Sequence, residues 1–418
     1  MGNFYQRGVA RESAGSDIIP DNTELPINSV EGVLSEVASD TAVIDAQDSE
    51  AALLAEDATE TDAQFEQVDS DIKAADAGEE GVEEDMSEET AEQIDVAQES
   101  LRKRWGLNHR QTIARESYGR GNRRIAARES LWDDIKAFFR RIYEWLKAQG
   151  RKIKDRWINF HNQGKSIQAR SKKFDAQIRA LGAKDKDEIK GSFIKSLSVG
   201  GSFIGGNVTE LNSHLTRTGG LPTGIENMQK TAAAAVDEVI AAVARPGAKG
   251  GNIANLVKNA AASHIGDYAN AGVIEELGNR SVKVEGTGDD WNISFIDSEE
   301  SAAGDVPTPA LPLMHSINTF YNKMGIEVEK RAKAYEKVNS TREKFEDSIE
   351  KLLNKIDKID AKENEDLVAH IRAVRTEISR ITSTCGVLER VQANTITCLT
   401  SGVNGYLSAA IGAYKKSK

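Results

Sequence analysis

The chain has 418 residues, two cysteines and a formal net charge of −12. Cys385 and Cys398 alone cannot supply a disulfide framework, and no apolar run approaches the ~20 residues needed to cross a bilayer. The opening "MGNFYQRGVA" lacks the apolar core of a secretory signal and carries Gln6 where a myristoylation signal wants Ser or Thr. A soluble protein made and kept in a reducing cytosol is expected.

The total charge hides a division along the chain. Residues 13–99 hold 27 Asp and Glu against a single base, Lys73. Residues 1–129 sum to −18, so residues 130–418 carry +6. With Phe65 as the only aromatic between 13 and 99, the front cannot bury enough apolar surface to offset chain entropy. Residues 1–99 are therefore expected to form an acidic disordered segment, either a solvating tail or a removable propeptide, with weak helix near Glu88–Leu101. Residues 100–129 turn basic and contain Gly119 and Gly121, which interrupt helix propagation. A flexible basic linker is expected there, and exposed flexible backbone is where proteases cut most readily.

At Ser130 the pattern changes. Leu131, Ile135, Phe138, Ile142, Leu146, Ile153, Trp157 and Phe160 recur at helical spacing, and Ser130 followed by Asp133 and Asp134 reads as an N-cap with acids in the first turn. Residues 130–190 are expected as a basic amphipathic helical segment with three of the five tryptophans, Trp132, Trp145 and Trp157. Residues 191–305 are rich in small side chains and read as helices with glycine-rich connections. Alternation at Val282, Val284, Trp291, Ile293 and Phe295 around a Gly/Asp turn predicts a β-hairpin at about 281–297. Residues 306–418 give heptads: Ile317, Tyr321, Met324, Val328, Tyr335, Val338, Phe345, Ile349, Leu352, Ile356 and Ile359, then Leu367, Ile371, Val374, Ile378, Ile381, Cys385 and Leu388. "DAKENED" between the two series is a turn, and Arg331 and Arg342 are the polar exceptions in the first. The expected fold is mainly α: a disordered acidic front, a helical body with a small β-hairpin, and a C-terminal antiparallel coiled-coil hairpin whose small-residue end packs back on the body.

Candidate chemistry is sparse. Gly164-Lys165-Ser166 resembles the end of a phosphate loop, but the glycine needed five positions earlier is Asn159 and the preceding segment looks helical. The six histidines (109, 161, 214, 264, 315, 370) contain no pair at metal-ligand spacing, and no nucleophile elbow occurs. No enzyme, cofactor or metal site is expected. The basic helix says more. Between Ser130 and Lys173 there are 12 Lys and Arg against four acids. Lys136, Arg140, Arg141, Lys147, Arg151, Lys152, Lys154 and Arg156 could face a phosphate backbone in a salt-dependent way. The same helix also suits an anionic membrane surface, or simply a solvated face on a core helix.

The tetrapeptide Ala-Arg-Glu-Ser occurs at 10–13, 114–117 and 127–130, with Ala-Gln-Glu-Ser at 97–100. Ordinary composition predicts a given tetrapeptide on the order of 0.01 times in such a chain. Copies confined to the unfolded-looking third, with small residues flanking a glutamate, read as recognition sites for a protease. These sites resemble the small-x-Glu sequences cut by prohead proteases of large tailed phages. The layout over roughly residues 1–160 resembles internal head proteins of jumbo phages, where an acidic propeptide precedes a Trp-rich basic helix. The resemblance implies scissile bonds at Glu12–Ser13, Glu99–Ser100, Glu116–Ser117 and Glu129–Ser130, with a mature chain starting at Ser130. It further implies a non-enzymatic structural protein of the virion interior, synthesised in the host bacterial cytoplasm. Its partners would be the prohead protease, other capsid and inner-head proteins, and genomic DNA. The alternative is a membrane-active or host-directed helical effector carried in the virion.

Overall fold

The computed structural model describes residues 88–104, 123–243, 272–285, 292–298, 304–359 and 365–417, with single positions at 300 and between 57 and 70. In chain order the helices are α1 (Glu88–Arg104), α2 (Arg123–Arg179), α3 (Phe193–Ser196), α4 (Val208–Gly219), α5 (Leu221–Val243), α6 (Leu311–Ile356) and α7 (Glu365–Gly412). The strands are β1 (Leu181–Lys184), β2 (Glu188–Ile189), β3 (Ser198–Val199), β4 (Ser202–Phe203), β5 (Val273–Glu276), β6 (Arg280–Glu285), β7 (Asn292–Asp297), β8 (Val306–Pro307) and β9 (Tyr414–Lys416). The protein is mainly helical with small antiparallel strand pairs, as the sequence pattern predicts.

α2 has 57 residues, which at 1.5 Å per residue is roughly 85 Å. It runs antiparallel to α6. The register is fixed by Asn318 Nδ2 donating to the Ser171 carbonyl at 3.0 Å while Ser171 Oγ donates to the Asn318 carbonyl at 3.2 Å. Gln168 Nε2 donates to Glu329 at 3.0 Å, and Arg342 Nη1 donates to the Leu146 carbonyl at 2.6 Å farther along the pair. Between these points the backbones nearly touch. A Cβ built on Gly164 would lie 2.6 Å from the Gly325 carbonyl oxygen, and one on Gly325 would lie 2.9 Å from that of Gly164. Gly164 of the Gly-Lys-Ser triplet is thus a packing glycine inside a helix.

α6 and α7 form the expected antiparallel hairpin. Tyr321 donates to the Thr400 carbonyl at 3.4 Å, and Tyr335 bonds Gln392 nearer the turn. The heptad positions from Ile317 to Ile356 are buried, as are those from Ile371 to Leu388. The seam is not a private two-helix one, however, because α6 packs principally on α2 and α5. α7 runs parallel to α2, with Arg170 Nε 3.3 Å from Asn404 Oδ1 and the Arg375 guanidinium 5.5 Å over the Phe138 ring. The two polar exceptions in the heptads are explained by this crowding. Arg331 donates to the Leu215 carbonyl and to Thr218 Oγ1 on α4. Arg342 joins α6 to α2 and also pairs with Glu346 at 2.7 Å. Burial lowers the pKa of Arg331 to about 10, which leaves it charged at neutral pH.

The hairpin predicted at 281–297 is β6 and β7, with Val282 opposite Phe295 and Val284 opposite Ile293. β5 adds a third strand through a tight connection in which Gly278 and Asn279 take positive φ (82° and 59°). Gly278 cannot carry a side chain for a second reason, since its Cβ would sit 2.8 Å from Cys398 Sγ on α7. α4 is clipped to this sheet by a buried ionic cluster. Glu276, with no exposed side-chain surface, forms an ion pair with Arg217, Nε to Oε1 2.9 Å, and lies 2.9 Å from His214 Nδ1. The chain end packs back as expected. α7 continues to Gly412, and β9 pairs with β1 just beyond α2. Gly402 and Gly405 admit Leu197 and Phe193 against α7, where Phe193, Phe203 and Tyr406 stack with centroids 5.2–6.1 Å apart.

The N-cap expected at Ser130 is corrected. α2 begins at Arg123, two residues after Gly121, and Ser130 is its eighth residue. The intervening Arg, Ala and Glu residues are strong helix formers, so nothing stops propagation backward from the apolar stripe until the glycine. Residues 100–104 and 123–129, the two ends of the expected flexible linker, are accordingly helical. The remainder of that linker lies outside the described residues.

Gly164→Ala should lower stability by about 1–3 kcal/mol, because the new methyl meets backbone that cannot rotate away. Gly220→Ala, with helical φ of −82° and nothing within 4 Å, should instead be neutral or gain about 0.4–1 kcal/mol. Denaturant unfolding of the two variants checks the contrast, and equal effects would mean that α2 and α6 do not approach as closely as described.

Candidate functional site

The acidic front ends in α1, and α1 lies on the first turns of α2. Its sequence, EETAEQIDVAQESLRKR, places acids in the first turn and Arg102, Lys103 and Arg104 in the last, complementing the helix dipole at both ends. Ala91, Ile94 and Gln98 are buried, a stripe at i, i+3 and i+7, with Arg102 following four residues on. On α2 the matching stripe is Ala127, Ser130, Leu131 and Asp134, all buried.

Two polar bonds lock these stripes together. Ser130 Oγ donates to Gln98 Oε1 at 2.7 Å, and Arg102 Nη2 donates to Asp134 Oδ1 at 2.7 Å. Both pairs are separated by 32 residues, so the helices run parallel and in step. The Asp134 side chain is 1 % exposed and that of Arg102 13 %, so this ion pair is largely desolvated. In such a setting the loss of one partner costs far more than at a surface.

Of the four expected cleavage tetrapeptides, the structure brings two into contact. Ala97–Ser100 lies in the third turn of α1 and Ala127–Ser130 at the start of α2, joined through Gln98 and Ser130. Glu99 pairs with Lys103 at 2.8 Å, and Glu129 points outward while Ser130 points in. Glu12, Ser13, Glu116 and Ser117 lie outside the described residues. Neither of the two bonds expected to be cut is in the extended form a protease cleft needs, and cleavage of either would require local unfolding.

The basic residues of α2 divide in the same way. Lys136 sits 5.6 Å over the Trp132 ring and 3.6 Å from Asp133. Arg140 pairs with Asp357 at 2.9 Å on the surface, Arg141 lies 3.8 Å from Glu144, and Lys147 lies 5.5 Å over Tyr143. Exposed pairs of this kind contribute at most about 1 kcal/mol and yield readily to a phosphate. The side chains of Arg151, Lys152, Lys154 and Arg156 lie outside the described residues, although α2 runs through them. Trp132 and Trp145 are turned inward, 3 % and 9 % exposed, and are not presented to a membrane. Among the described residues no helix is long and apolar enough to span one.

Neither cysteine is poised for reaction. Cys385 and Cys398 are buried, and desolvation pushes the Cys398 thiol up to about 12 and Cys385 further, so neither is a thiolate near neutral pH. Among the described residues no three His, Cys, Asp or Glu side chains converge as a metal site would require. Sequence reasoning missed the α1–α2 contacts because α1 carries few apolar residues. The signal available was the fixed offset that pairs Gln98 with Ser130 and Arg102 with Asp134.

Residues 39–410 match the phiKZ-like phage internal head proteins, and the chain belongs to that family. This is a class of protein carried inside the capsid of the virion. The matched span begins in the acidic front and ends in α7, so front and body belong to one family unit; it also takes in the residues beyond about 160 that the resemblance in motif and layout did not cover. Neither curated proteins nor solved structures provide a match to the chain.

If the apolar stripe of α2 faces the core and its basic residues face solvent, Trp132→Ala should cost about 3–5 kcal/mol. Arg140→Ala and Lys147→Ala should each stay within about 0.5 kcal/mol. Thermal or denaturant unfolding measures all three, and a silent Trp132→Ala would contradict the packing.

Proposed function

We propose that this internal head protein is made as a precursor and is matured inside the capsid by a prohead protease cutting after Glu12, Glu99, Glu116 and Glu129. The observation that carries the reading is the placement of the tetrapeptides in the chain. Ala-Gln-Glu-Ser at 97–100 ends where the acidic stretch gives way to basic sequence, and the last Ala-Arg-Glu-Ser ends at Ser130, with −18 on residues 1–129 and +6 on the rest. Hydrolysis there turns a chain of −12 into a basic product.

The charge change has a direct physical consequence. A precursor with a large acidic segment is repelled by nucleic acid, whereas the product is drawn to a polyanion by counterion release. Arg140, Arg141 and Lys147 reach solvent on α2, and Arg151, Lys152, Lys154 and Arg156 follow in its sequence. Once the front is gone they meet genomic DNA through phosphates, without sequence preference. The product also gains a good helix start, since Ser130 becomes the first residue with Asp133 and Asp134 in the first turn. The N-cap role read from the sequence thus belongs to the mature chain. The buried Trp132 and Trp145 give no support to the membrane-active alternative.

Two measurements test this. Residues 130–418 should bind duplex DNA more tightly than the full chain, with affinity falling steeply across a salt series. Equal binding by the two would remove the proposed role of the front. In particles assembled with Glu129→Ala, the protein should retain residues upstream of Ser130; normal processing of that variant would place the final cut elsewhere.

A further inference from the structure

We infer that the cleft between α4 and α6 binds a small organic phosphate monoester, its phosphate held by Arg331, Lys323 and Lys330. The inference goes beyond the maturation reading and does not rest on it. It starts from a charge that the fold leaves uncompensated. Arg331 is 7 % exposed. Its guanidinium donates to the Leu215 carbonyl and to Thr218 Oγ1, both neutral, and no carboxylate lies within ion-pair distance of it among the described residues. Burial costs the guanidinium its hydration and so lowers its pKa, and Glu327 offsets only part of that cost.

This charge borders a cleft of about 680 Å³, inside the ~300–1,000 Å³ range of small-molecule sites. α4 ends here, and a Cβ on Gly219 would lie 3.3 Å from Arg331 Nη2, so the missing side chain leaves the guanidinium uncovered on that side. Lys323 and Lys330 line the same cleft about two turns apart on α6, and both are exposed. Lys323 makes no ion pair among the described residues. Lys330 pairs with Glu327 at 2.7 Å in solvent, a contact that yields readily to a phosphate. Three cations against one carboxylate leave the cleft at +2. A phosphate monoester, at about −1.5 to −2 near pH 7, balances that charge better than a single carboxylate does. Asn212 and Thr216 on α4 also face the cleft and make no side-chain hydrogen bond among the described residues, so both can donate to the remaining phosphate oxygens. Leu215, Ile326 and Ala334 supply an apolar wall, and Ile326 is one of the large apolar side chains left exposed. That wall suits the organic part of a monoester, whereas a bare phosphate would leave it wet.

Isothermal titration of the full chain at fixed ionic strength, with phenyl phosphate and with inorganic phosphate, tests the site. Phenyl phosphate should bind about tenfold tighter than inorganic phosphate, because its ring covers the apolar wall. Lys323→Gln with Lys330→Gln should weaken phenyl phosphate about tenfold or more. Both side chains are exposed, so the pair can be replaced without disturbing the core. Lys344→Gln with Lys351→Gln removes the same charge from exposed positions on α6, roughly 20 Å or more beyond Arg331, and should change the affinity by less than about twofold. No binding of phenyl phosphate by the unaltered chain would overturn the site. Undiminished affinity without Lys323 and Lys330 would overturn it as well, as would an equal loss without Lys344 and Lys351. Equal affinity for the two phosphates would overturn the assignment of a monoester. None of these results touches the maturation reading, which is decided by the termini of the protein in particles.

Discussion

The close approach of Gly164 and Gly325 sets the geometry on which the other contacts depend. Two long helices can share a seam over ten turns only if their axes are near enough for side chains to interlock, and here the backbones meet at one point without any Cβ between them. Ser171 and Asn318 exchange hydrogen bonds two turns away and fix the register at that point. With α2 and α6 so placed, α5 and α7 fill the two remaining sides, and the heptad residues of α6 serve three neighbours at once. A buried arginine on α6 is then tolerable because carbonyls of α4 and α2 lie within reach.

The same helix that anchors the body also carries the boundary with the acidic front. α2 passes through Glu129 and Ser130 without a break, and α1 is docked beside them through contacts that include Ser130–Gln98 and Arg102–Asp134. The acidic stretch gives way to basic sequence within α1, where the backbone runs on as helix. Separation of α1 from α2 depends on local opening of a helix end. Helix ends fray at low cost in free energy, so a few contacts suffice to control the opening.

Much of this was legible in the residues. The hairpin at 281–297 followed from alternation, and the two C-terminal helices followed from heptads, because period alone specifies both. Partnership was not legible. Nothing in the spacing of α6 says that α2 is its nearest neighbour, since an apolar seam fits any complementary one. Gly164 read as a fragment of a phosphate loop because a packing glycine and a loop glycine are the same letter. His214 looked isolated, yet it meets Glu276, 62 residues away in sequence. At the candidate site the tetrapeptides were plain, and the helical state of two of them was not. Gly119 and Gly121 suggested a break reaching Ser130, whereas α2 already runs from Arg123 and carries helix on both sides of the bond.

In the proposed maturation the Glu129–Ser130 bond divides a front that leaves from a body that stays. Peptide mapping of the N-terminus of this protein from purified mature particles tests it most directly. A chain beginning at Ser130, with no peptides from residues 88–104, is the predicted result. Peptides that span Glu129–Ser130 at full abundance in those particles would contradict it.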